Sequence, residues 1–332
     1  MTPQMANPSA ALAALATPRP GPSVRALANA SRRRVQAGWN VLWTGVSGLA
    51  TLWIVLIVAV ILGTIVLGGW HTVTWGFLTQ NPAVGMTEGG IFPAIFGTVA
   101  LVFLMIIAVL PVGVLAAVYL HEYARPTSPV TRLVRFAVNN LAGVPSIVFG
   151  LFGLGFFVQF VGRGMDRALG QDVLFGQPAI LWAALTLALL NLPVVIVSTE
   201  EALRAVPRSA REGALALGAT RWQTVRNVVL PQALPGILTG AILSVSRGAG
   251  EVAPILFTGA AYYLPYLPLS PTDQFMELGY HIYVLATQSP NIDQTLPLLY
   301  GTVLVLLGLT FALNFTAVLL RARIRRSMGL GD

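Results

Sequence analysis

The chain has 332 residues, of which 55% are apolar and only 10% are charged, and its mean hydropathy is +0.75. Soluble domains carry about 25% charged residues, so this composition excludes an ordinary soluble protein and indicates a surface that faces lipid. Cysteine is absent, which excludes disulfides and zinc–thiolate sites. Because His71, His121 and His281 also lack metal-ligand spacing, we predict no metal site.

The basic residues decide two further points. The net charge is +8 and all 20 basic residues are arginines. A P-loop needs a lysine, so any ATP hydrolysis must come from another polypeptide, and we predict neither an enzyme nor a cofactor in this chain. Basic proteins often bind nucleic acid, but these arginines lie in short clusters between apolar stretches. That pattern favours a membrane protein that does not bind nucleic acid.

The N-terminal residues 1–38 are rich in Ala, Pro, Ser and Arg, which predicts a disordered cytoplasmic tail. The run Ser31-Arg32-Arg33-Arg34 faintly resembles a twin-arginine signal, but the apolar run that follows is too long for a cleaved signal peptide. We therefore predict a transmembrane permease domain over 39–326 and a short cytoplasmic tail over 327–332.

Six apolar stretches are long enough to cross a bilayer as helices, which needs about 20 residues. They predict an all-α integral membrane protein. The predicted spans are 44–68, 93–119, 138–161, 179–198, 234–257 and 296–320.

Orientation follows from the arginines, because 17 of the 20 fall on one side of the predicted spans. The positive-inside rule then predicts a multi-pass protein of a bacterial-type inner membrane with both termini in the cytoplasm. The outer connection 258–295 carries no basic residue. It could rest in the membrane interface and meet an external partner, or it could form a packed cap.

The cytoplasmic connection over 199–233 is long and contains two helix-start patterns. Ser209 with Glu212 and Thr220 with Gln223 each fit a capping box. Gly218 lies between them, where a helix end often uses glycine. We therefore predict two short helices at an angle.

The second of these helices is predicted to end at Pro231 and Pro235, before the fifth span. Apolar residues along the pair suit docking into a groove on a partner protein, although the pair could also fold back on this chain's own helices. These residues are Ala214, Leu215, Leu217, Trp222 and Val225.

Arg247 and Glu251 form a charged pair in the predicted fifth helix. Charges at mid-bilayer are costly and usually face a cavity or a partner. A spacing of four residues places both on one face of the helix. The pair could lock helix packing, or Arg247 could line the route of an anion, because guanidinium matches phosphate and carboxylate. Asn140 and Ser146 are further candidates for this route, or for hydrogen bonds between helices.

The same connection resembles the EAA motif of ABC importer permeases, which reads Glu-Ala-Ala, three residues, Gly, nine residues, Ile-x-Leu-Pro. The matching residues are Glu212, Gly213, Ala214, Gly218, Val228, Leu230 and Pro231. Gly213 and Val228 are mild departures from the pattern. In that family the segment is the coupling helix that sits in a cleft of the ATPase subunit. The resemblance therefore implies ATPase coupling through Glu212, Gly213, Ala214, Gly218, Leu230 and Pro231, with Glu212, Ala214 and Gly218 as the contact residues.

Three further stretches are similar to the A-type permease subunit of phosphate-specific (Pst) importers. They are RGAGEVAPILFT at 247–258, NLAGVPSIV at 140–148 and YLHEYA at 119–124, and the resemblance covers about 93–320. It implies the MetI-like permease fold with six membrane helices and cytoplasmic coupling helices. It also implies import of inorganic phosphate by ATP-driven alternating access.

The implied partners are a homologous permease forming a heterodimer, two copies of a cytoplasmic ATPase that bind ATP and Mg²⁺, an external phosphate-binding protein, and membrane lipid. Other oxyanions such as sulfate, molybdate or phosphonate, or an amino acid, remain open as alternative cargo. An ion-gradient-driven secondary transporter and a membrane scaffold are the other classes, but the chain shows no inverted repeat for the first, and the charged pair argues against the second.

Overall fold

The computed structural model describes residues 24–83, 88–170, 172–289 and 292–327, with side chains from residue 39 onward. Two compact units divide the chain, residues 1–63 and 64–332, and each is described by itself. Of the predicted disordered tail, residues 1–23 lie outside the described residues. The first helix begins at Val24, inside that predicted tail.

The elements are α1 (Val24–Gly69), α2 (Trp75–Thr79), β1 (Pro82–Ala83), β2 (Glu88–Gly89), α3 (Phe92–Val118), α4 (Pro129–Leu141), α5 (Ser146–Gly153), α6 (Arg163–Leu169), α7 (Ile180–Ala205), α8 (Arg208–Ala216), α9 (Arg221–Thr224), α10 (Leu230–Gly248), α11 (Leu278–Thr287) and α12 (Ile292–Ser327). Three π-helical stretches, at Tyr119–Tyr123, Leu154–Gly162 and Val225–Val229, continue α3, join α5 to α6 and join α9 to α10. The two short strands pair antiparallel.

Within the part of the chain that the structure describes, six helical stretches are long and apolar enough to span a membrane. The prediction of six spans is therefore confirmed. Their bounds are Trp39–Gly69, Phe92–Tyr123, Ser146–Leu169, Ile180–Ala205, Arg221–Gly248 and Ile292–Arg326.

The largest buried core of the second unit lies where α3, α7 and the end of α10 meet. Leu101 and Met105 of α3, Leu187 and Val195 of α7, and Ala249 are fully buried there. Close approach of α10 to α7 depends on small residues, since a Cβ on Gly240 or Gly236 would collide with Ser198 or Ala202 of α7.

The predicted start of the third span at residue 138 is wrong. Residues 129–141 form a separate helix, α4, that carries both charged and apolar side chains, and the span begins at Ser146. The break between them has a local cause: Pro145 pushes the residue before it, Val144, away from helical geometry. Pro145 then precedes the first residue of α5.

The predicted end of the fifth span at residue 257 is also wrong, because α10 ends at Gly248. A Cβ on Gly248 would meet Met105, near the middle of α3, and would lie 3.9 Å from the amide of Asn191, near the middle of α7. The helix therefore stops about half-way along its neighbours. From there the chain continues without helix as far as α11.

The outer connection packs into the fold around its acidic residue Glu277. The Glu277 carboxylate accepts hydrogen bonds from the backbone amides of Gly279 and Tyr280 and so caps α11. The Leu278 amide donates to the Thr98 hydroxyl of α3 at 3.0 Å. Of the two predicted alternatives, these contacts favour a packed cap for this part of the connection.

Glu277, which caps α11, and His281 within that helix are both buried, and their pKa values shift in opposite directions. Burial raises the pKa of the Glu277 carboxyl to about 7, although the two backbone amides act against that shift. Burial lowers the pKa of His281 to about 4. The contribution of the Glu277 pKa shift to the free energy of unfolding is therefore fully present below about pH 4.5, and it is lost as the pH rises to about 7. His281 stabilises the fold fully above about pH 6.5 and less as the pH falls to about 4.

We predict that these two dependences offset each other in the unmodified protein between about pH 4.5 and 6.5, and that single substitutions separate them. Glu277→Gln leaves the free energy of unfolding rising with pH over this range, whereas His281→Leu leaves it falling, each by about 1.4 kcal/mol per pH unit. Unfolding in detergent at a series of pH values measures both slopes. Two variants with the pH profile of the unmodified protein would contradict the assignment.

Candidate functional site

Two short helices leave the arginine-rich side of the spans, as the sequence predicts. We call residues 208–224, which comprise α8 and α9, the two-helix segment. Gly218 separates the helices with a φ of +85°, a conformation that glycine adopts without strain. Thr220 and Gln223 form the predicted capping box, which is therefore confirmed.

The other predicted cap is wrong. The residue before α8 is Pro207, and no side chain caps the helix there. Because the helix already begins at Arg208, Ser209 lies inside its first turn and not in front of it. The predicted end of the second helix at Pro231 and Pro235 is wrong as well.

The chain continues from α9 into α10 through the π-helical turn Val225–Val229. Pro231 is the second residue of α10 and Pro235 lies further inside that helix, so neither proline ends the helix. The two-helix segment is thus covalently continuous with the helix that carries Arg247.

The predicted ATPase-contact residues divide into two groups. Glu212, Gly213 and Gly218 are exposed and Ala214 is half-buried, all on the two-helix segment. Leu230 and Pro231 are half-buried at the start of α10, away from that surface. Leu217, which is 91% exposed, and Trp222 add large apolar groups to the exposed surface of the segment.

An arginine that the sequence analysis did not single out fixes this segment to the helix bundle. Arg211 of α8 contacts Glu122 in the π-helical end of α3, with 2.9 Å between Nη2 and Oε1. The same guanidinium donates to the carbonyl oxygens of Leu203 at 2.6 Å and Val206 at 2.7 Å, at the end of α7. The signal in the sequence was the charge of Glu122 at the end of an apolar span.

A second arginine makes a similar connection between neighbouring helices. Arg135 of α4 donates to the buried carboxylate of Glu200 on α7 at 2.8 Å and to the carbonyl of Leu120 at 3.0 Å. Arg204 lies 3.9 Å from the same carboxylate.

The predicted pair of Arg247 and Glu251 is formed, with 3.2 Å between Nε and Oε1. Its setting differs from the prediction, because Arg247 lies in the last turn of α10 and Glu251 lies beyond the end of that helix. The Arg247 side chain is 41% exposed and the Glu251 side chain 20% exposed. An exposed arginine at this depth needs water or another polar surface against it.

A mostly apolar cavity one turn from Arg247 contains three polar side chains that the sequence analysis did not select. The cavity has a volume of about 360 Å³ and lies between α4, α7 and α10. Leu243, four residues before Arg247, lines it together with Asn139, Ser198 and Glu201. These residues could be found only from the packing, since nothing in their sequence spacing relates them.

The other two predicted route residues lie on the neighbouring helices. The Asn140 side chain donates to the carbonyl of Phe136 one turn earlier in α4, and Ser146 is the first residue of α5. Within the described residues the structure records no hydrogen bond of either side chain to Arg247 or Glu251.

Comparison with known proteins identifies the family of this chain. Residues 109–328 match the family model described as binding-protein-dependent transport system inner membrane component. The chain belongs to this family. It is therefore a permease of the ABC importer class and a multi-pass inner-membrane protein, as the resemblance implied.

Two relatives illustrate the similarity. A Bacillus subtilis protein named a probable ABC transporter permease, YqgI, is 34% identical over 74% of this chain and 82% of its own length. A Methanocaldococcus jannaschii protein named a probable phosphate transport system permease, PstA, is 36% identical over 69% of this chain and 74% of its own length.

One solved structure shows the fold. The bacterial alginate ABC transporter, in complex with its alginate-bound periplasmic protein, superposes with a TM-score of 0.61 over 88% of this chain and 97% of the matched chain, at 14% identity. This agreement supports the importer permease fold alone.

We predict that the two ion pairs contribute differently to stability. Glu251→Gln should lower the free energy of unfolding by less than about 1 kcal/mol, because the pair is partly exposed. Arg135→Gln should lower it by about 1–3 kcal/mol, because the buried carboxylate of Glu200 loses its nearest partner. Thermal unfolding in detergent compares them. If Glu251→Gln proved as costly as Arg135→Gln, the Arg247 pair would be a packing lock.

Proposed function

We propose that this permease translocates inorganic phosphate, and that Arg247 binds the anion on its way through the membrane. The observation that carries the proposal is the position of Arg247, partly exposed at the end of a helix that stops half-way along its neighbours. The Methanocaldococcus jannaschii relative that is named a probable phosphate transport system permease supports this choice of cargo.

The chemistry of the site fits a doubly charged oxyanion. Guanidinium offers paired N–H donors with the geometry of phosphate oxygens. Glu251, at 3.2 Å, neutralises the guanidinium when no anion is bound. A cavity that Leu243, one turn before Arg247, helps to line lies between α4, α7 and α10, and we assign it to the route.

In this proposal both termini and the two-helix segment are cytoplasmic. The segment docks into an ATPase subunit, two copies of which bind ATP and Mg²⁺, and a homologous permease completes the route. An external binding protein delivers the anion. Closure of the ATPase dimer moves the segment and with it α10, so that the site opens to one side of the membrane at a time.

The alternatives separate by cargo and by energy source. Sulfate, molybdate and phosphonate present similar oxygens to an arginine, so they are competitors in the test below. A gradient-driven transporter and a scaffold fit less well, because the chain belongs to a binding-protein-dependent transport family.

We predict that Arg247→Ala lowers phosphate uptake by at least about tenfold while the protein stays in the membrane, since a hydrogen-bonded charge is worth about 1.5–3 kcal/mol. Labelled phosphate uptake is measured in cells that produce the permease with its partner subunits. Arg323→Ala, which removes an exposed arginine near the end of α12, is the control and keeps its uptake.

Sulfate and molybdate in excess should not reduce the uptake of phosphate. Undiminished uptake by Arg247→Ala would reduce this arginine to a packing role. No phosphate uptake by the unmodified complex would refute the cargo assignment.

We predict that Leu217→Ser weakens binding of the ATPase subunit about tenfold, because burying one leucine contributes about 1.5–3 kcal/mol. Leu269→Ser is the matched control, since Leu269 is 88% exposed in the outer connection. Co-purification of the ATPase subunit at increasing detergent dilution compares the two variants. Equal loss of the ATPase from both, or from neither, would contradict docking at the two-helix segment.

A further inference from the structure

The arginine-rich side contains a joint between the two-helix segment and the ends of two spans. The Arg211 guanidinium donates four hydrogen bonds to three acceptor atoms: Nε and Nη2 both donate to Glu122 Oε1, and the other two bonds go to the Leu203 and Val206 carbonyls. Both charged side chains are largely buried, with 17% and 14% of their surfaces exposed. Charge-assisted bonds shielded from water are the strong ones.

We propose that the ion pair of Arg211 and Glu122 transmits movement of the two-helix segment to α3. Both are positioning residues in this role, since neither lies at the anion site. The inference rests on the proposed function, because it needs an ATPase that moves the segment.

The two-helix segment is joined along the chain to α7 and to α10, and not to α3. Through the π-helical turn Val225–Val229 the segment is continuous with α10, and on its other side it follows the end of α7. The helix α3 has no covalent link to either end of the segment. Between the segment and α3, the described residues show one salt bridge, that of Arg211 with Glu122.

The receiving end of α3 is held in place by several contacts. Its last turn, Tyr119–Tyr123, is π-helical, and Glu122 lies within it. Single π-helical turns often occur at functional sites. His121 lies 3.0 Å from the same carboxylate oxygen, and Arg135 holds the Leu120 carbonyl, so the turn is held from two sides.

Movement of α3 matters for the anion site because α3 and α10 lie side by side there. Met105 of α3 lies against Gly248 at the end of α10, next to Arg247. Val118 of α3 also packs in one apolar cluster with Val225 and Val229 of the π-helical turn, and the ion pair adds a polar contact to this apolar one. With the joint intact, both helices follow, and ATP-driven movement reaches the anion site as one displacement.

The test separates transport from ATP hydrolysis. Glu122→Gln removes the charge and leaves the carbonyl bonds of Arg211 in place, so the segment stays folded. The complete transporter is reconstituted in vesicles with phosphate and its binding protein, and phosphate uptake and ATP hydrolysis are measured on the same sample. We expect the phosphate moved per ATP to fall about tenfold, with ATP hydrolysis within twofold of the unmodified complex.

Two further variants serve as controls. Arg204→Gln removes the long, exposed contact with Glu200 at 3.9 Å and keeps the unmodified ratio. Arg211→Lys, which keeps the charge but cannot make all four hydrogen bonds, gives an intermediate ratio.

If the Glu122→Gln variant lost uptake and ATP hydrolysis together and no longer assembled, the ion pair would have a structural role only. That result would refute its role in transmitting movement. An unchanged ratio in Glu122→Gln would overturn it too. Neither result touches the cargo, because absence of phosphate uptake by the unmodified complex is the separate outcome that refutes the proposed function.

Discussion

The end of α10 at Gly248 is the constraint on which the rest of this structure depends. Inside a bilayer, backbone groups without internal partners are tolerated only where protein or a water-filled cavity surrounds them. The chain meets that condition on one side by packing Ala249 and Ile255 into the main core, and by pairing Thr258 with the start of α7. On the other side Arg247 and Glu251 remain partly exposed.

The same helix joins this site to the surface that would receive energy. The segment α8–α9, the π-helical turn and α10 form one continuous path from exposed apolar residues such as Leu217 to Arg247. Glycines at 236 and 240 let α10 lie close against α7. Arg211 adds a second path through Glu122, so both walls of the site are tied to the segment.

Much of this architecture follows from sequence, because its signals are local. Apolar length predicts the six spans, and the pattern at Thr220 and Gln223 predicts a cap that the structure contains. The misplaced boundaries at 138 and 257 share one cause, since apolar composition continues past the point where the backbone leaves the helix. Likewise Ser209 fits a capping pattern but lies inside a helix that had already begun at Arg208.

The contacts between distant residues were not predictable in the same way. Glu122 and Arg211, or Asn139 and Leu243, come together only through the packing of helices, and one sequence holds no record of that. Arg247 and Glu251 were found because a charge pair four residues apart in an apolar stretch is a local signal. Their exposure at the end of a helix was not predictable from the sequence.

Access of water to the end of α10 is the most direct test of this account. The chain has no cysteine, so Gly250→Cys introduces a single thiol at a position with open space around its Cβ. We predict that a charged, membrane-impermeant thiol reagent labels it in the assembled transporter and that phosphate slows the labelling. A thiol at Phe103, an exposed residue near the middle of α3, should stay unlabelled. Equal protection of both positions would contradict a water-filled anion route at Arg247.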